Sequence, residues 1–401
     1  MKTNSLFLLL TAGMIAGTAI AEDSDVYLVE ARKILAASPV VDGHNDLPWV
    51  LRNAAGGDTE QARIVDPSGP DTDLDRLAAG LVGAQIWSVY VPSAIEPLES
   101  VRFQVEQIDL VHRMVEANPD RLEIALSVAD VERAHESGRI ASLIGIEGAH
   151  TIANSLAILR SYHALGVRSV GLTHLHSSDW ADSATGERKN SGLSAFGEDA
   201  IREMNRLGMM IDLAHTSAET IDDVVAISSA PVIVSHTAAT AVVPHERNLT
   251  DASLTAIAEK GGVIMVCFIP AFVSDVVREW QEGMMPLIKE AKTEEDWIRI
   301  NEAYVAEHGT PDRATISDVA DHIEHIARVA GIDHVGIGAD FYGAHNDYDV
   351  VQGLEDVSKY PALFAELLRR GWEADDLGKL ARGNFLRVFA EVEDAAVLSR
   401  N

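Results

Sequence analysis

The chain has 401 residues, and 47% of them are hydrophobic, enough to bury a core in one large domain or two smaller ones. Its formal net charge of −30 argues against nucleic acid as a partner, because the phosphates would be repelled, and against anionic membrane surfaces. A single cysteine, Cys267, excludes an intrachain disulfide, and its position in an apolar run predicts a buried thiol rather than a nucleophile.

The first 21 residues have the pattern of a secretory signal peptide. An apolar run follows Lys2, and Ala19-Ile20-Ala21 forms a cleavage site of small residues. The apolar run is shorter than the roughly 20 residues that cross a membrane as a helix. We therefore expect a signal peptide over 1–21 and a periplasmic or secreted mature protein over 22–401, with no transmembrane segment after signal removal. An uncleaved N-terminal anchor is the alternative.

Strand-like and helix-like patterns alternate along the mature chain. Apolar, β-branched runs typical of buried strands lie at about 40–47, 82–91, 140–147, 167–174, 208–215, 231–236, 262–268 and 334–340. Amphipathic patterns typical of helices lie between most of them, at 98–117, 155–165, 197–207 and 252–259. This alternation predicts an α/β fold with a parallel sheet, and eight repeats predict a single (β/α)8 TIM barrel domain. A doubly wound open sheet is the alternative, but no glycine-rich phosphate-binding motif follows an early strand.

The segment 273–312 is longer than a barrel connection requires. Its large apolar side chains are typical of one or two amphipathic helices: Trp280, Met284, Met285, Trp297 and Tyr304. The segment follows the seventh predicted strand and so belongs to the C-terminal face, where the active sites of such barrels are found. We predict a helical insertion after strand seven that covers the barrel mouth as a cap.

Side chains that can bind metal stand where several predicted strands end. His44 and Asp46 are two residues apart, so that in a strand both side chains point to the same face. Glu147, His215, His236 and Asp340 end four later apolar runs. A single such group is usually satisfied by hydrogen bonds, but several converging at one barrel mouth would be costly without a cation. Two histidines and a carboxylate suit Zn²⁺ or a similar ion.

Eight short motifs carry a resemblance to one enzyme family. They are Asp42-Gly43-His44-Asn45-Asp46, Gly145-Ile146-Glu147-Gly148, Leu172-Thr173-His174, Asp212-Leu213-Ala214-His215-Thr216-Ser217, Ser235-His236-Thr237-Ala238, Arg247-Asn248, Gly338-Ala339-Asp340-Phe341 and Gly353-Leu354-Glu355-Asp356-Val357-Ser358-Lys359-Tyr360-Pro361. On these residues the chain resembles the membrane (renal-type) dipeptidases, peptidase family M19, which are amidohydrolase-like metal-dependent barrels. The resemblance extends from residue 40 to about residue 390, nearly the whole mature chain.

The resemblance implies two Zn²⁺ ions per chain, replaceable by other divalent ions, with Glu147 as the bridge between them. It implies that His44 and Asp46 complete the protein ligands of one ion, and that His215 and His236 complete those of the other. A carboxylate has two oxygens and can span two cations, which agrees with this assignment. A hydroxide bridging the ions would be the nucleophile, since metal binding lowers the pKa of water to about 7.

The resemblance also implies roles for residues near the metals. Asp340 would bind substrate and carry the proton of the attacking water to the leaving amine; a structural carboxylate is the alternative. His174 would contact the substrate and stabilise the tetrahedral oxyanion, although His176 shares its strand face and spacing alone cannot choose between them. Arg247 would bind the free carboxylate of the substrate, with a surface ion pair as the alternative. Asp42, two residues before the first ligand, is expected to orient a ligand or to pack below the metals.

The chain departs from the family pattern after the seventh predicted strand. Relatives carry a tyrosine there that helps to bind the substrate carboxylate, whereas this chain reads Phe268-Ile269-Pro270-Ala271-Phe272, without a hydroxyl. The insertion is also longer than in vertebrate relatives. Both differences bear on substrate preference rather than on metal binding. With one cysteine, the homodimer that we expect would lack the disulfides of vertebrate relatives.

We therefore predict a binuclear zinc dipeptidase that hydrolyses unblocked dipeptides, including those with a C-terminal D-residue, which relatives accept. Two alternatives remain. The same metal site would serve a lactonase, a β-lactam hydrolase or an N-acyl amino acid hydrolase. A non-catalytic binding protein on a barrel scaffold would be expected to have lost a ligand or Asp340, and all of these residues are present.

Overall fold

The strands of the protein follow the predicted apolar runs. The computed structural model describes residues 25–288, 294–344 and 346–398, so the predicted signal peptide over 1–21 lies outside the described residues. This part of the chain contains β1 (Val40–Asn45), β2 (Val82–Ser88), β3 (Leu122–Ile124), β4 (Ile140–Glu147), β5 (Val167–Gly171), β6 (Met210–Asp212), β7 (Ile233–Thr237), β8 (Val263–Val266) and β9 (Val335–Ile337). Eight of these strands fall on the eight predicted runs, and β3 is additional.

Eight of the strands close into a parallel barrel, in the order β1, β2, β4, β5, β6, β7, β8, β9 and back to β1. The ring includes a pairing of Asp42 in β1 with Ile337 in β9. The predicted (β/α)8 TIM barrel is therefore confirmed, and the alternative of an open, doubly wound sheet is wrong.

The strand β3 lies outside this ring and was not predicted. Leu122 and Ile124 pair with Ile140 and Ser142 at the beginning of β4, whereas β5 pairs with later residues of β4. A strand of three residues is too short for an alternating pattern to be recognised in a sequence.

Helices surround the barrel and connect its strands. In the described residues they are α1 (Val26–Ala37), α2 (Leu47–Ala54), α3 (Leu74–Ala79), α4 (Pro97–Ala117), α5 (Val128–Glu136), α6 (Leu156–Ala164), α7 (Ala195–Leu207), α8 (Ala218–Ile227), α9 (Asp251–Glu259), α10 (Pro270–Val273), α11 (Asp275–Ile288), α12 (Glu294–His308), α13 (Ile316–Ala330), α14 (Tyr360–Arg369), α15 (Ala374–Gly378) and α16 (Asn384–Leu398). The four predicted helices correspond to α4, α6, α7 and α9. None of the described helices combines the length and the hydropathy needed to cross a membrane.

Local sequence explains where several of these helices begin. Ser127, Ser194, Ser217 and Thr250 precede α5, α7, α8 and α9, and each side-chain oxygen accepts a backbone N–H of the first turn. Such caps satisfy donors that have no partner within the helix. Three of these helices, α7, α8 and α9, follow strands or loops that carry predicted site residues, so their caps fix the places where the chain leaves the barrel mouth.

The insertion predicted over 273–312 forms α11 and α12. The ring centroid of Trp280 in α11 lies 5.2 Å from that of Tyr304 in α12 and 5.2 Å from that of Tyr348, which follows β9. The Tyr348 hydroxyl also donates a hydrogen bond of 2.6 Å to the side chain of Asn301 in α12. These aromatic and polar contacts connect both helices to the chain segment after the last barrel strand.

The barrel interior is filled just below the strand ends. A Cβ atom at position 338 would lie 1.7 Å from the carbonyl oxygen of Ser235, and one at position 43 would lie 2.4 Å from the same oxygen. Only glycine fits at these two positions, Gly43 and Gly338, because the neighbouring backbone approaches so closely. The space for a ligand is therefore at the mouth of the barrel, beyond this level.

Cys267, predicted as a buried thiol, is fully buried directly after β8. Its backbone N–H donates to the carbonyl of Thr237 at the end of β7 over 2.8 Å. Burial raises the pKa of the thiol to about 12, so the nucleophilic thiolate is scarce at neutral pH. The structure therefore agrees with a packing role for Cys267.

Candidate active site at the barrel mouth

The five predicted metal ligands meet at the carboxyl ends of four barrel strands. His44 lies in β1 with Asp46 just after it, Glu147 ends β4, His215 follows β6, and His236 lies in β7. All five residues are at most 8% exposed. Parallel barrel strands end at the same face, which explains why residues so far apart in the sequence come together.

Glu147 faces two groups of donors with its two oxygens. Its Oε2 lies 3.5 Å from Nε2 of His44, whereas its Oε1 lies 3.1 Å from Nε2 of His215 and 3.6 Å from Nε2 of His236. Asp46 belongs to the first group, with its Oδ2 3.5 Å from Nε2 of His44. This arrangement suits a carboxylate shared between two cations.

The donor atoms fit a divalent cation better than they fit one another. Each of the two groups has its ligand atoms within 4.8 Å of one another. Nε2 of His215 and Nε2 of His236 are 2.9 Å apart, where two lone pairs would repel unless a proton or a cation lay between them. Among the described residues, Nε2 of His44 and Oδ1 of Asp46 are buried without a hydrogen-bond partner. Nitrogen and oxygen donors of this kind suit Zn²⁺ and related ions.

The pKa values of three of the predicted ligands, His215, His236 and Glu147, favour the forms that bind metal, whereas that of His44 favours its protonated form. Burial lowers the pKa of His215 and of His236 well below the usual range, which keeps both imidazoles neutral. Burial alone would raise the pKa of Glu147, but the charges of His44 and His174 outweigh it and lower that pKa well below its usual range. Burial alone would lower the pKa of His44, but neighbouring carboxylates raise it well above its usual range. A cation beside Glu147 would displace the proton from His44.

Asp340 follows β9 and stands beside the first group of donors. Its Oδ1 lies 3.8 Å from Nε2 of His44, and its side chain is 14% exposed. Burial raises the pKa of its carboxyl to about 7, and the charges of Asp46 and Glu147 act in the same direction. A carboxyl that exchanges a proton near neutral pH suits general acid–base chemistry, although bound cations would lower this pKa.

His174, rather than His176, joins the cluster. Nε2 of His174 lies 3.6 Å from Oε1 of Glu147. His176 instead has its Nδ1 2.8 Å from the hydroxyl of Ser93 and lines a neighbouring cavity of about 380 Å³. The geometry therefore favours His174 where spacing left both histidines open.

Arg247 is buried next to the cluster, with 4% of its surface exposed. Its Nη2 donates to the carbonyl of His236 over 3.4 Å, and its guanidinium carbon lies 5.5 Å from the ring centroid of Phe272. In the described part of the chain its Nε has no hydrogen-bond partner. A surface ion pair does not fit this environment, whereas an anionic group of a ligand would satisfy the free donor.

A cavity of about 410 Å³ opens onto the cluster. The predicted residues Asp46, Glu147, His174, His215 and Asp340 line it from the strand ends. The cavity thus gives a ligand access to both groups of donors and to the carboxyl of Asp340.

Other residues of this site were not predicted from the sequence. The Tyr90 ring packs against Trp49 and His174, with centroids 5.0 and 4.8 Å apart, and the Ser88 hydroxyl donates to Oε2 of Glu147 over 3.1 Å. The remaining lining residues follow the later strands: Leu175, Ile269, Phe272, Gln281 and Tyr342. Trp49, three residues after Asp46, had a signal in its closeness to a motif. Phe272 belongs to the stretch that departs from the family pattern, and Gln281 lies in the predicted insertion.

His215 and Asp340 have left-handed backbone conformations, each with φ of 65°. Residues with a Cβ atom adopt this conformation rarely, at a cost on the order of 1 kcal/mol. Both residues lie three positions beyond the end of a strand, since β6 ends at Asp212 and β9 ends at Ile337. The strands predicted over 208–215 and 334–340 were therefore too long, and both predicted site residues lie in the irregular segments after the strands.

Most of the chain matches one protein family. The family model of the membrane dipeptidases, peptidase family M19, matches residues 28–401. Dipeptidase 3 of Mus musculus is 39% identical over 369 residues, which cover 91% of this chain and 66% of the mouse protein, slightly under two thirds. Dipeptidase aclJ of Aspergillus oryzae is 40% identical over 375 residues, which cover 91% of this chain and 80% of the fungal protein.

Solved structures of dipeptidases have the same fold. The probable dipeptidase PvdM from Pseudomonas aeruginosa superposes with a TM-score of 0.80 and 26% identity over 92% of this chain and 99% of that chain. A metallopeptidase from Rhodobacter sphaeroides, liganded with a phosphinate mimic of the dipeptide L-Ala-D-Ala, superposes with a TM-score of 0.72 and 27% identity over 88% of this chain and 99% of that chain. Family membership together with the histidine and carboxylate clusters indicates dependence on metal. The chain belongs to the membrane dipeptidase family, peptidase family M19, a family of peptide-bond hydrolases, as its motifs predicted.

Proposed function

We propose that the chain is a dipeptidase that hydrolyses unblocked dipeptides at a binuclear metal centre. The observation that carries this proposal is the position of Glu147, whose Oε2 faces His44 while its Oε1 faces His215 and His236. His44 and Asp46 would hold one divalent ion with Glu147, and His215 and His236 would hold the second. Zn²⁺ is the ion that best suits these nitrogen and oxygen donors.

The residues around this centre would divide the chemistry between them. Bound ions would supply an activated water at neutral pH and polarise the scissile carbonyl. Asp340 would take the proton of the attacking water and pass it to the nitrogen of the leaving amino acid. His174 would stabilise the negative charge that develops on the scissile carbonyl oxygen. This scheme needs no serine or cysteine nucleophile.

Arg247 would set the length of the substrate. Its buried guanidinium has an unpartnered Nε among the described residues and suits the free carboxylate of a dipeptide. A substrate with its scissile carbonyl at the metal ligands and its carboxylate at Arg247 would have a single residue between the two. Tripeptides and C-terminal amides are therefore expected to be poor substrates.

We extend the proposal to dipeptides with a C-terminal D-residue. The support is the Rhodobacter sphaeroides metallopeptidase, 27% identical, which is liganded with a phosphinate mimic of L-Ala-D-Ala. Turnover of L-Ala-D-Ala and L-Ala-L-Ala by the same zinc-loaded protein tests the extension. Hydrolysis of the L,L substrate alone would overturn it.

Metal depletion and reconstitution test the proposal as a whole. Protein stripped by a chelator should lose dipeptide hydrolysis, and Zn²⁺ should restore it while elemental analysis finds two ions per chain. A lactone, a β-lactam and an N-acyl amino acid are assayed beside the dipeptide, and faster turnover of any of them would replace the dipeptidase assignment. Full activity with a single ion would contradict the binuclear centre, and no turnover of any substrate would favour a binding protein.

We also propose that the chain is exported and forms a homodimer without a disulfide, on the basis of the pattern over 1–21 and the family resemblance. N-terminal sequencing of protein produced with its leader should begin at Glu22, and light scattering should give twice the chain mass. A retained leader or a monomer would contradict the respective statement.

A further inference from the structure

Asp42 is a fully buried carboxylate that belongs to neither group of metal donors. Its Oδ1 accepts the backbone N–H of His44, two residues ahead, over 3.3 Å and that of Ala339, 297 positions away, over 2.8 Å. Its Oδ2 accepts the hydroxyl of Tyr360 over 2.7 Å. One oxygen of Asp42 thus ties the end of β1 to the end of β9, immediately before Asp340.

Asp212 makes the same contacts on another pair of strands. It ends β6, and its Oδ1 accepts the backbone N–H of Ala214 over 3.0 Å and that of Ser235 in β7 over 2.8 Å. Ala214 directly precedes His215, and Ser235 directly precedes His236. One oxygen of Asp212 thus ties together the two strand ends that carry the second group of donors.

The two carboxylates share features that packing alone does not require. Each uses a single oxygen for one N–H of its own segment and one N–H of a neighbouring strand. Neither forms an ion pair with the side chains of residues 25–288, 294–344 and 346–398, and the oxygen that each uses here accepts backbone N–H groups. The two site residues with left-handed backbones, His215 and Asp340, each follow a residue whose N–H is bound in this way. These hydrogen bonds hold turns that L-residues rarely adopt.

We propose that Asp42 and Asp212 are a matched pair of positioning residues, which hold four functional side chains in register before any metal binds: His44, Asp340, His215 and His236. The hydrogen-bonding role follows from the contacts alone, whereas its effect on metal binding rests on the proposed function. Because both N–H groups go to one oxygen, an amide side chain can keep these two hydrogen bonds. At position 42 its NH₂ group would have to donate to the Tyr360 hydroxyl, from which Asp42 now accepts. The pair therefore acts through geometry, not through charge.

The test compares substitutions that remove the acceptor with substitutions that keep it. Asp42→Ala and Asp212→Ala remove both backbone hydrogen bonds, and Asp42→Ala also removes the one from Tyr360. Asp42→Asn and Asp212→Asn retain an oxygen that can accept the two backbone N–H groups, and Tyr360→Phe measures the loss of the hydroxyl alone. Asn384→Ala is the matched control, because the buried Asn384 side chain also makes two backbone hydrogen bonds, to Ile332 and Val335, but at the opposite end of β9. Each variant is measured for hydrogen exchange of the Ala214 and Ala339 amides without metal, for thermal unfolding, and for Zn²⁺ affinity.

The alanine variants should exchange the relevant amide faster and should lose Zn²⁺ affinity by about 10- to 100-fold, the usual effect of removing a partner behind a metal ligand. The asparagine variants should stay within a few-fold of the parent in affinity. The control should unfold at a lower temperature and keep its affinity. Unchanged amide exchange in both alanine variants would overturn the proposal, as would a loss of affinity in the asparagine variants as large as in the alanine variants.

The design separates this inference from the proposed function. If the parent chain binds no Zn²⁺, the proposed function fails while amide exchange in metal-free protein still decides the role of the two carboxylates. If an alanine variant does not fold, Asp→Leu at the same position fills a similar volume without an acceptor and takes its place. Affinity that falls in the control as far as in the alanine variants would show a general effect of stability and would also overturn the proposal.

Discussion

Two walls of the same cavity are built in different ways. One, the strand-end wall, consists of Asp46, Glu147, His174, His215 and Asp340, which barrel hydrogen bonds and buried partners hold in place. The other, the helical wall, consists of Ile269, Phe272 and Gln281, from the segment after β8 that includes α10 and α11. The helical wall stands on helices with exposed apolar residues: Val276 at 54%, Met285 at 44% and Leu287 at 48%. Catalysis requires the side chains of the strand-end wall to keep fixed positions. The residues of the helical wall can differ between related proteins, and such differences would change substrate selectivity.

Replacing the shared carboxylate should break the strand-end wall most severely. Glu147→Gln keeps the shape but exchanges one oxygen that faces the metal donors for an NH₂ group, so occupancy of both ions should fall. We expect a loss of activity at least as large as the roughly 10²–10⁴-fold that a general acid–base group contributes. Elemental analysis beside kcat measures both effects. Two tightly bound ions in the variant would show that Glu147 does not bridge.

Replacing Asp340, the proposed proton carrier, should lower the rate without changing metal content. Asp340→Asn is nearly isosteric but cannot carry a proton, so kcat should fall by roughly 10²–10⁴-fold while two ions remain bound. A steady-state assay with metal analysis of the same sample makes the comparison. Near-normal kcat at full occupancy would assign the proton transfer to another group.

Replacing the proposed carboxylate anchor should affect only substrates with a free C-terminus. Arg247→Ala should lower kcat/KM on a dipeptide about ten- to a hundredfold more than on the matching dipeptide amide, since a charge-assisted hydrogen bond contributes roughly 1.5–3 kcal/mol. The amide is the internal control for folding and metal. Equal losses on both substrates would make Arg247 a structural residue.

A change in the helical wall should alter selectivity and leave the metals unchanged. Gln281→Ala should change the ratio of kcat/KM values between dipeptides with small and large side chains by a few-fold, on the order of 1 kcal/mol. Val276→Ala, on the exposed side of the same helix, is the matched control and should leave the ratio unaltered. If neither substitution changes the ratio, the predicted cap does not contribute to selectivity.

The smallest expected effect concerns the stability of metal-free protein. Burial raises the pKa of Asp340 to about 7, above the roughly 3.9 of an unfolded aspartate. The folded state therefore holds this proton more tightly, and the stability it contributes below about pH 4 is lost as the pH rises to about 7. Asn cannot ionise, so only the parent loses this contribution as the pH rises. The melting temperature of Asp340→Asn should therefore gain a few degrees relative to that of the parent between about pH 5 and pH 8. Zn²⁺ should abolish the increase, and a difference independent of pH would contradict the raised pKa.

The strand-end wall could be predicted from the sequence because it depends on local pattern. Apolar runs located the strands, and polar residues at their ends located His44, Glu147 and His236 at one face. The strand-end residues follow from the topology of the barrel once the strands are known. The resemblance then supplied Arg247, the choice of His174 and the role of Asp340, which no spacing indicates.

The remaining features depend on contacts between distant parts of the chain. The left-handed turn at Asp340 is held by Asp42 across 297 positions, which no local pattern reveals. Ser88 is one hydroxyl within an apolar run, and Gln281 reaches the cavity only because of how α11 packs. Sequence reasoning also extended the strands too far, because it cannot detect a turn imposed by hydrogen bonds from another strand.

The single cysteine, Cys267, directly after β8, provides a natural probe for transient opening of the barrel. Thiol reagents react with the thiolate, and Cys267 is both fully buried and shifted in pKa to about 12 by that burial. Alkylation therefore requires a local opening that exposes Cys267. Such an opening would separate the end of β8 from that of β7, where the backbone N–H of Cys267 donates to the carbonyl of Thr237. Since the sequence holds no second cysteine, the labelling rate counts these openings without an introduced probe. Comparing the alkylation rate of Cys267 with and without Zn²⁺ would measure how much metal binding suppresses opening of the barrel.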